Sequence, residues 1–201
     1  MCVLFKNINQ TMKTGLFFGS FNPIHNGHIA IAGYMLEFTH LEEVWLVVSP
    51  HNPLKEQAEL APDIHRLKMV RLAIQEYQPK ISLCDIEMSM PRPSYTIDTL
   101  KVLRAKYPER EFTVLMGADS MHSIERWKDY QTLLANNRIM VYPRLGSKAN
   151  ELKAKYNVDL VNAPIIQISS TFLRNAILQG KRVDYFMPPR AYQYLLDNKI
   201  Y

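Results

Sequence analysis

The chain has 201 residues, 47% hydrophobic and 21% charged, with 24 Lys and Arg against 19 Asp and Glu for a formal charge of +5. These proportions belong to an ordinary globular enzyme or binding domain and exclude collagen-like, disordered and repeat-array chains. The positive balance favours anionic ligands, small phosphorylated molecules as well as RNA, without the clustered basic runs of a dedicated nucleic-acid binder.

In chain order, the first eleven residues carry no periodic pattern and read as an extension, with Met12 an alternative start. Strands are expected at residues 16–18, 44–48, 81–84, 112–116, 139–142 and 165–168, short apolar runs rich in β-branched and aromatic residues. Amphipathic helices fall between them. The first carries Ile29, Ala32, Gly33 and Leu36 on one face. The second, opened by Pro62 and Asp63, carries Leu67, Val70, Ile74 and Tyr77. The third, capped around Ser94, Tyr95 and Thr96, carries Ile97, Leu100, Arg104 and Tyr107. Residues 144–157 are polar and read as an excursion from the sheet. Ser169, Ser170 and Thr171 cap a later helix ending near Gly180, and Pro189 opens a C-terminal one. Strand–helix alternation of this kind predicts an α/β fold, a mostly parallel sheet with helices on both faces, as one domain over residues 12–201 with a C-terminal helical region.

Two cysteines, Cys2 and Cys84, make neither a disulfide framework nor a four-ligand zinc site unaided. No apolar run reaches the roughly 18 residues a membrane helix needs, and the start has no basic n-region, so a cytoplasmic location without membrane contact is expected.

Open α/β sheets bind ligands beyond the carboxyl ends of their strands, and residues of pointed chemistry cluster there. After the first strand comes Gly19-Ser20-Phe21-Asn22-Pro23-Ile24-His25-Asn26-Gly27-His28, and after the second His51-Asn52-Pro53-Leu54-Lys55. After the third comes Arg92-Pro93-Ser94-Tyr95-Thr96, and after the fourth Gly117-Ala118-Asp119-Ser120, with Trp127 further on. After the sixth comes Ser169-Ser170-Thr171-Phe172-Leu173-Arg174. His25 and His28 bracket a helix start, where imidazole and backbone N–H groups donate to phosphate oxygens. Arg174 projects one turn into its own helix as a charged phosphate donor. Neither Gly-x-x-x-x-Gly-Lys-Ser/Thr nor Gly-x-Gly-x-x-Gly occurs, so phosphate is handled by another design. No third ligand stands near the histidines at zinc spacing. Arg66, Arg92 and Arg144 are left without an assigned role, since an arginine on a solvated helix or loop is the commoner case.

The first of these segments resembles the GxFxPxHxGH signature of the nucleotidyltransferase superfamily, and Ile168 to Arg174 resembles its ISSTxxR. With residues 94–99 (SYTIDT), 117–120 (GADS) and Trp127, the chain resembles the bacterial nicotinate-nucleotide adenylyltransferases from about Lys13 onward. The resemblance implies a Rossmann-like, doubly wound fold that joins ATP to nicotinate mononucleotide with release of pyrophosphate. It implies catalytic roles for His25, His28 and Arg174. ATP is expected at Gly19, Ser20, Phe21, Gly27, Lys55, Gly117, Asp119, Ile168, Ser169, Ser170 and Thr171, and the mononucleotide at Ser94, Tyr95, Thr96 and Trp127. Mg²⁺ is expected to ride on ATP, with no metal site of the protein's own. Two positions depart from the family pattern: Asn22 stands where Asp is frequent, and three residues separate His51 from Lys55 where His and Lys are often adjacent. The alternatives are a related adenylyltransferase using nicotinamide mononucleotide or phosphopantetheine, or a non-catalytic nucleotide- or RNA-binding protein. No nucleic-acid partner is expected, and a homo-oligomer stays open.

Overall fold

The computed structural model describes residues 11–50, 60–147 and 149–201. Its elements run β1 (Met12–Gly19), α1 (Asn26–Phe38), β2 (Glu43–Val48), α2 (Asp63–Ala73), β3 (Ile81–Cys84), α3 (Thr96–Lys106), β4 (Arg110–Gly117), α4 (Ala118–His122) and α5 (Tyr130–Asn136). They continue through β5 (Arg138–Tyr142), α6 (Ala149–Tyr156), β6 (Asp159–Leu160), α7 (Ser170–Leu178) and α8 (Pro189–Asp197). The proposed extension lies outside the described residues except for Thr11.

Six described strands form one sheet in the order β3-β2-β1-β4-β5-β6, every pair parallel. The winding reverses between β1 and β4, which makes the carboxyl ends of those two strands the switch point of a doubly wound sheet. Register keeps side chains in layers: Leu16 lies opposite Trp45 on one side and Val114 on the other. Because successive side chains alternate faces, Leu16, Trp45, Val47, Val114, Met116, Ile139 and Val141 pack with Leu100, Leu103 and Leu133 on one face. Phe17, Val44, Leu46, Leu115 and Met140 pack with Ile31, Met35, Met69, Val70, Leu173 and Leu195 on the other. Strands buried on both faces read as unbroken apolar runs, which is why five of the six were readable.

The sixth expectation fails. Residues 165–168 form no strand; the edge strand is Asp159–Leu160, paired with Met140 and Val141. Residues 161–169 follow it as an irregular segment, in which Ile166 and Ile168 face a cleft while Ile165 is exposed. That one-sided burial mimics strand alternation without a ladder. The polar excursion contains α6. The second helix is shorter than expected: α2 ends at Ala73, Tyr77 falls in a separate 3-10 turn (Gln75–Tyr77) and is exposed, and Arg66 lies on the buried face of α2 with Met69, Val70 and Ala73.

Candidate active site

Two adjoining cavities open at the carboxyl ends of β1 and β4. The first is lined by Gly19, Ser20, Asn22, His25, Gly27, His28, Asp119, Ile168, Ser169, Ser170, Thr171 and Arg174, together with Arg144. The second is lined by Glu87, Ser94, Tyr95, Thr96, Gly117, Trp127 and Lys128. Phe17, Phe18, Gly19, Ser20, Ser120 and Tyr142 border both. All the expected site residues except Lys55 therefore meet in one cleft, and Lys55 lies outside the described residues.

The β1–α1 turn sets the histidines. His25 is the N-cap of α1, and its backbone N–H donates to Nδ1 of His28 at 3.2 Å. An accepting Nδ1 leaves the ring proton on Nε2, so His28 offers a donor from that edge. The two imidazoles stack at 3.6 Å between centroids, and His28 meets the edges of Phe17 and Phe21. Gly27 permits this, since a Cβ there would stand 3.0 Å from Nδ1 of His25 and 3.2 Å from Ile166. Burial, and next the guanidinium of Arg144, push the His25 imidazole down to about 4. At neutral pH it is therefore an uncharged ring. Its buried Nδ1 has no hydrogen-bond partner among the described residues.

The α7 motif is stitched onto this turn. Ser169 caps α7, its Oγ accepting from the N–H of Phe172 at 3.1 Å. Ser170 Oγ donates to the carbonyl of Pro23 at 2.9 Å, and an Nη1 of Arg174 donates to the carbonyl of Asn22 at 3.0 Å. Of the three hydroxyls expected at the phosphates, two thus have structural work, and Arg174 anchors the histidine loop while lining the cleft. The Asn22 side chain also faces inward: its Oδ1 accepts from the N–H of Ala61 and from the Tyr201 hydroxyl.

Sequence reasoning left out three residues. Arg144 stands just beyond β5, with Nε 3.6 Å from Oδ1 of Asp119; its place after a strand was the available signal. Arg66, fully buried, donates to the carbonyls of Ser20, Ser49, Pro50 and Ala61 and pairs with Asp63, which also holds Arg92. Nothing in the spacing of α2 marks it. Glu87, 1% exposed, accepts from Ser94 Oγ and Thr99 Oγ1, each at 2.7 Å. That bond replaces the expected capping role of Ser94, and Tyr95 is the N-cap of α3.

Trp127 is half-buried and borders the second cavity, its Nε1 buried with no acceptor among the described residues. Lys128 lies 4.8 Å from the Tyr95 ring centroid and pairs with Asp98. Gly117 keeps the strand end clear, since a Cβ there would collide with the Asp119 carboxylate and crowd the Tyr142 ring.

A doubly wound parallel sheet with stacked histidines and two arginines lining a cleft at its switch point defines an α/β protein with a site suited to a phosphate-bearing ligand. The cytidylyltransferase-like family model matches residues 16–176. Relatives named nicotinate-nucleotide adenylyltransferase include one from Flavobacterium johnsoniae, 45% identical over 94% of this chain and 99% of its own length. Another, from Bacteroides fragilis, is 47% identical over 92% of each. The chain belongs to the cytidylyltransferase-like family, among its nicotinate-nucleotide adenylyltransferases. The fold matches that of Plasmodium falciparum nicotinic acid mononucleotide adenylyltransferase complexed with NaAD, with a TM-score of 0.82 at 22% identity over 94% of this chain and 97% of that one.

Proposed function

We propose that the protein joins ATP to nicotinate mononucleotide, forming the deamido dinucleotide and pyrophosphate. The observation that carries this reading is the pair of cavities sharing one wall at the switch point, one cationic and one aromatic. ATP occupies the first, its phosphates against His28, Arg174, Arg144 and the start of α7. The pyridine ring enters the second, against Trp127 and Tyr95. There the first-turn N–H groups of α3 and the unsatisfied indole N–H favour a carboxylate, which only accepts, over a carboxamide.

The mononucleotide phosphate is already an anion, so no general base is required. One of its oxygens bonds to the α-phosphorus as the bond to the β-phosphate oxygen breaks, and that electron pair leaves with pyrophosphate. Positioning and charge stabilisation supply the catalysis. His28 donates from Nε2, Arg174 and Arg144 bring fixed charge, and His25 holds the His28 ring by stacking and by its backbone N–H. Asp119 reaches toward a ribose hydroxyl. Mg²⁺ enters on the triphosphate in this reading; among the described residues no group of three or more His, Cys, Asp and Glu is placed to hold a metal ion. When bound, the ion offsets triphosphate charge. The relatives are named for this activity, and on that ground we place the reaction in the cytoplasm, where ATP and the mononucleotide meet, carried out by residues 12–201 as one domain.

The test is pyrophosphate release with ATP and Mg²⁺, comparing nicotinate mononucleotide, nicotinamide mononucleotide and phosphopantetheine. Preference for the first is expected; release with none of them overturns the reading.

A further inference from the structure

The second cavity contains a charged group that the reaction above does not use. Glu87, in the short helical turn Ile86–Ser89, is buried and is among the residues that line that cavity. Both carboxylate oxygens are held only by hydroxyls, those of Ser94 and Thr99, and no cation pairs with it among the described residues. The cations Arg126 and Lys128 in the same lining are exposed side chains, and Lys128 is paired with Asp98. A buried carboxylate without a countercharge is costly to keep, and the cost is offset if a cation arrives with the ligand.

We propose that Glu87 supplies the countercharge for the cationic pyridinium ring of the mononucleotide, making it a specificity-determining residue for the oxidised ring. This rests on the pyridine mononucleotide reading of the cavity. The nicotinate end of that substrate is a zwitterion, a positive ring bearing a carboxylate, and the cavity mirrors it. Its lining brings together the Glu87 carboxylate, the aromatic side chains of Tyr95 and Trp127, the start of α3, and the cations Arg126 and Lys128. The two halves divide the work. Glu87 acts on the ring charge, which nicotinate and nicotinamide mononucleotides share, and the N–H groups at the start of α3 act on the substituent that separates them.

Binding of three probes by calorimetry to the full chain tests this: nicotinate mononucleotide, nicotinamide mononucleotide, and reduced nicotinamide mononucleotide, whose dihydropyridine ring is uncharged. Wild type is expected to bind the oxidised nicotinamide form about tenfold more tightly than the reduced one, the scale of one partly screened charge pair. Glu87→Gln, which keeps the shape and removes the charge, is expected to bring that ratio to about twofold or less. The nicotinate-to-nicotinamide ratio and the affinity for ATP stay as in wild type. Equal loss for all three probes would assign Glu87 only to holding the start of α3 and overturn the proposal. So would a wild type that does not distinguish oxidised from reduced rings, a comparison that decides even if the variant fails to fold. Failure of the underlying reading shows separately, as absence of pyrophosphate release from wild type with nicotinate mononucleotide.

Discussion

Replacing Arg66 with Met removes one guanidinium that serves five acceptors at once. Four are the carbonyls of Ser20, Ser49, Pro50 and Ala61, and the fifth is the Asp63 carboxylate. Asp63 is 27% exposed and keeps Arg92, so its share of the loss is small. A stranded buried carbonyl costs about 1 kcal/mol or more, and the apolar Met side chain recovers part of the total, which leaves a net loss of about 3 kcal/mol. For a chain of this size that lowers the melting temperature by about 6–12 °C. Calorimetric melting and urea midpoints of Arg66→Met against wild type measure it. A loss of about 1 kcal/mol or less would refute the view that this guanidinium gathers the loops after β1 and β2. Below the melting range, kcat/KM should fall for both substrates, because Ser20 borders both cavities.

His28→Ala is expected to lower turnover by about a hundred- to a thousandfold, the scale of losing one transition-state donor; a tenfold loss or less with an intact fold would remove His28 from that role. The His25 imidazole titrates near 6.5 in the unfolded chain but near 4 in the folded one. As pH falls below 6.5 the unfolded state takes up protons first, so stability declines toward pH 4 and is level above 6.5. At pH 5 this costs about 2 kcal/mol, and urea unfolding of His25→Asn at pH 7 and pH 5 should show the decline reduced by that amount. Trp127→Ala should raise KM for the mononucleotide about tenfold, from loss of the aromatic surface against the pyridine ring, with KM for ATP unchanged. An equal rise for both substrates would place Trp127 in packing alone.

The parallel α/β architecture was legible because each buried parallel strand announces itself as an apolar run, and a turn built for a ligand was marked by the glycine, proline and histidine between β1 and α1; the doubly wound arrangement came only through the family resemblance. Residues whose role depends on tertiary contact were not legible. Arg66 has the sequence neighbourhood of a surface helix residue, and only the convergence of two loop ends on α2 makes it a buried hub. Glu87 sits between Ile86 and Met88 with no motif around it, and its hydroxyl partners lie seven and twelve residues away. The hydroxyls of Ser169 and Ser170 read as phosphate donors, yet a backbone N–H and a carbonyl of Pro23 claim them. Lone apolar periodicity misled at residues 165–168, because a cleft wall imposes the same alternation as a sheet.

The border formed by Phe17, Phe18, Gly19, Ser20, Ser120 and Tyr142 is common to both cavities, so compounds lodged on its two sides lie within reach of a short linker. Joining an aromatic acid that fills the Trp127 side to an anion that fills the histidine side would turn the second contact into an intramolecular one. Two weak fragments would then gain from millimolar effective concentration, provided the tether passes the backbone at Ser20 without displacing the carbonyl that Arg66 holds.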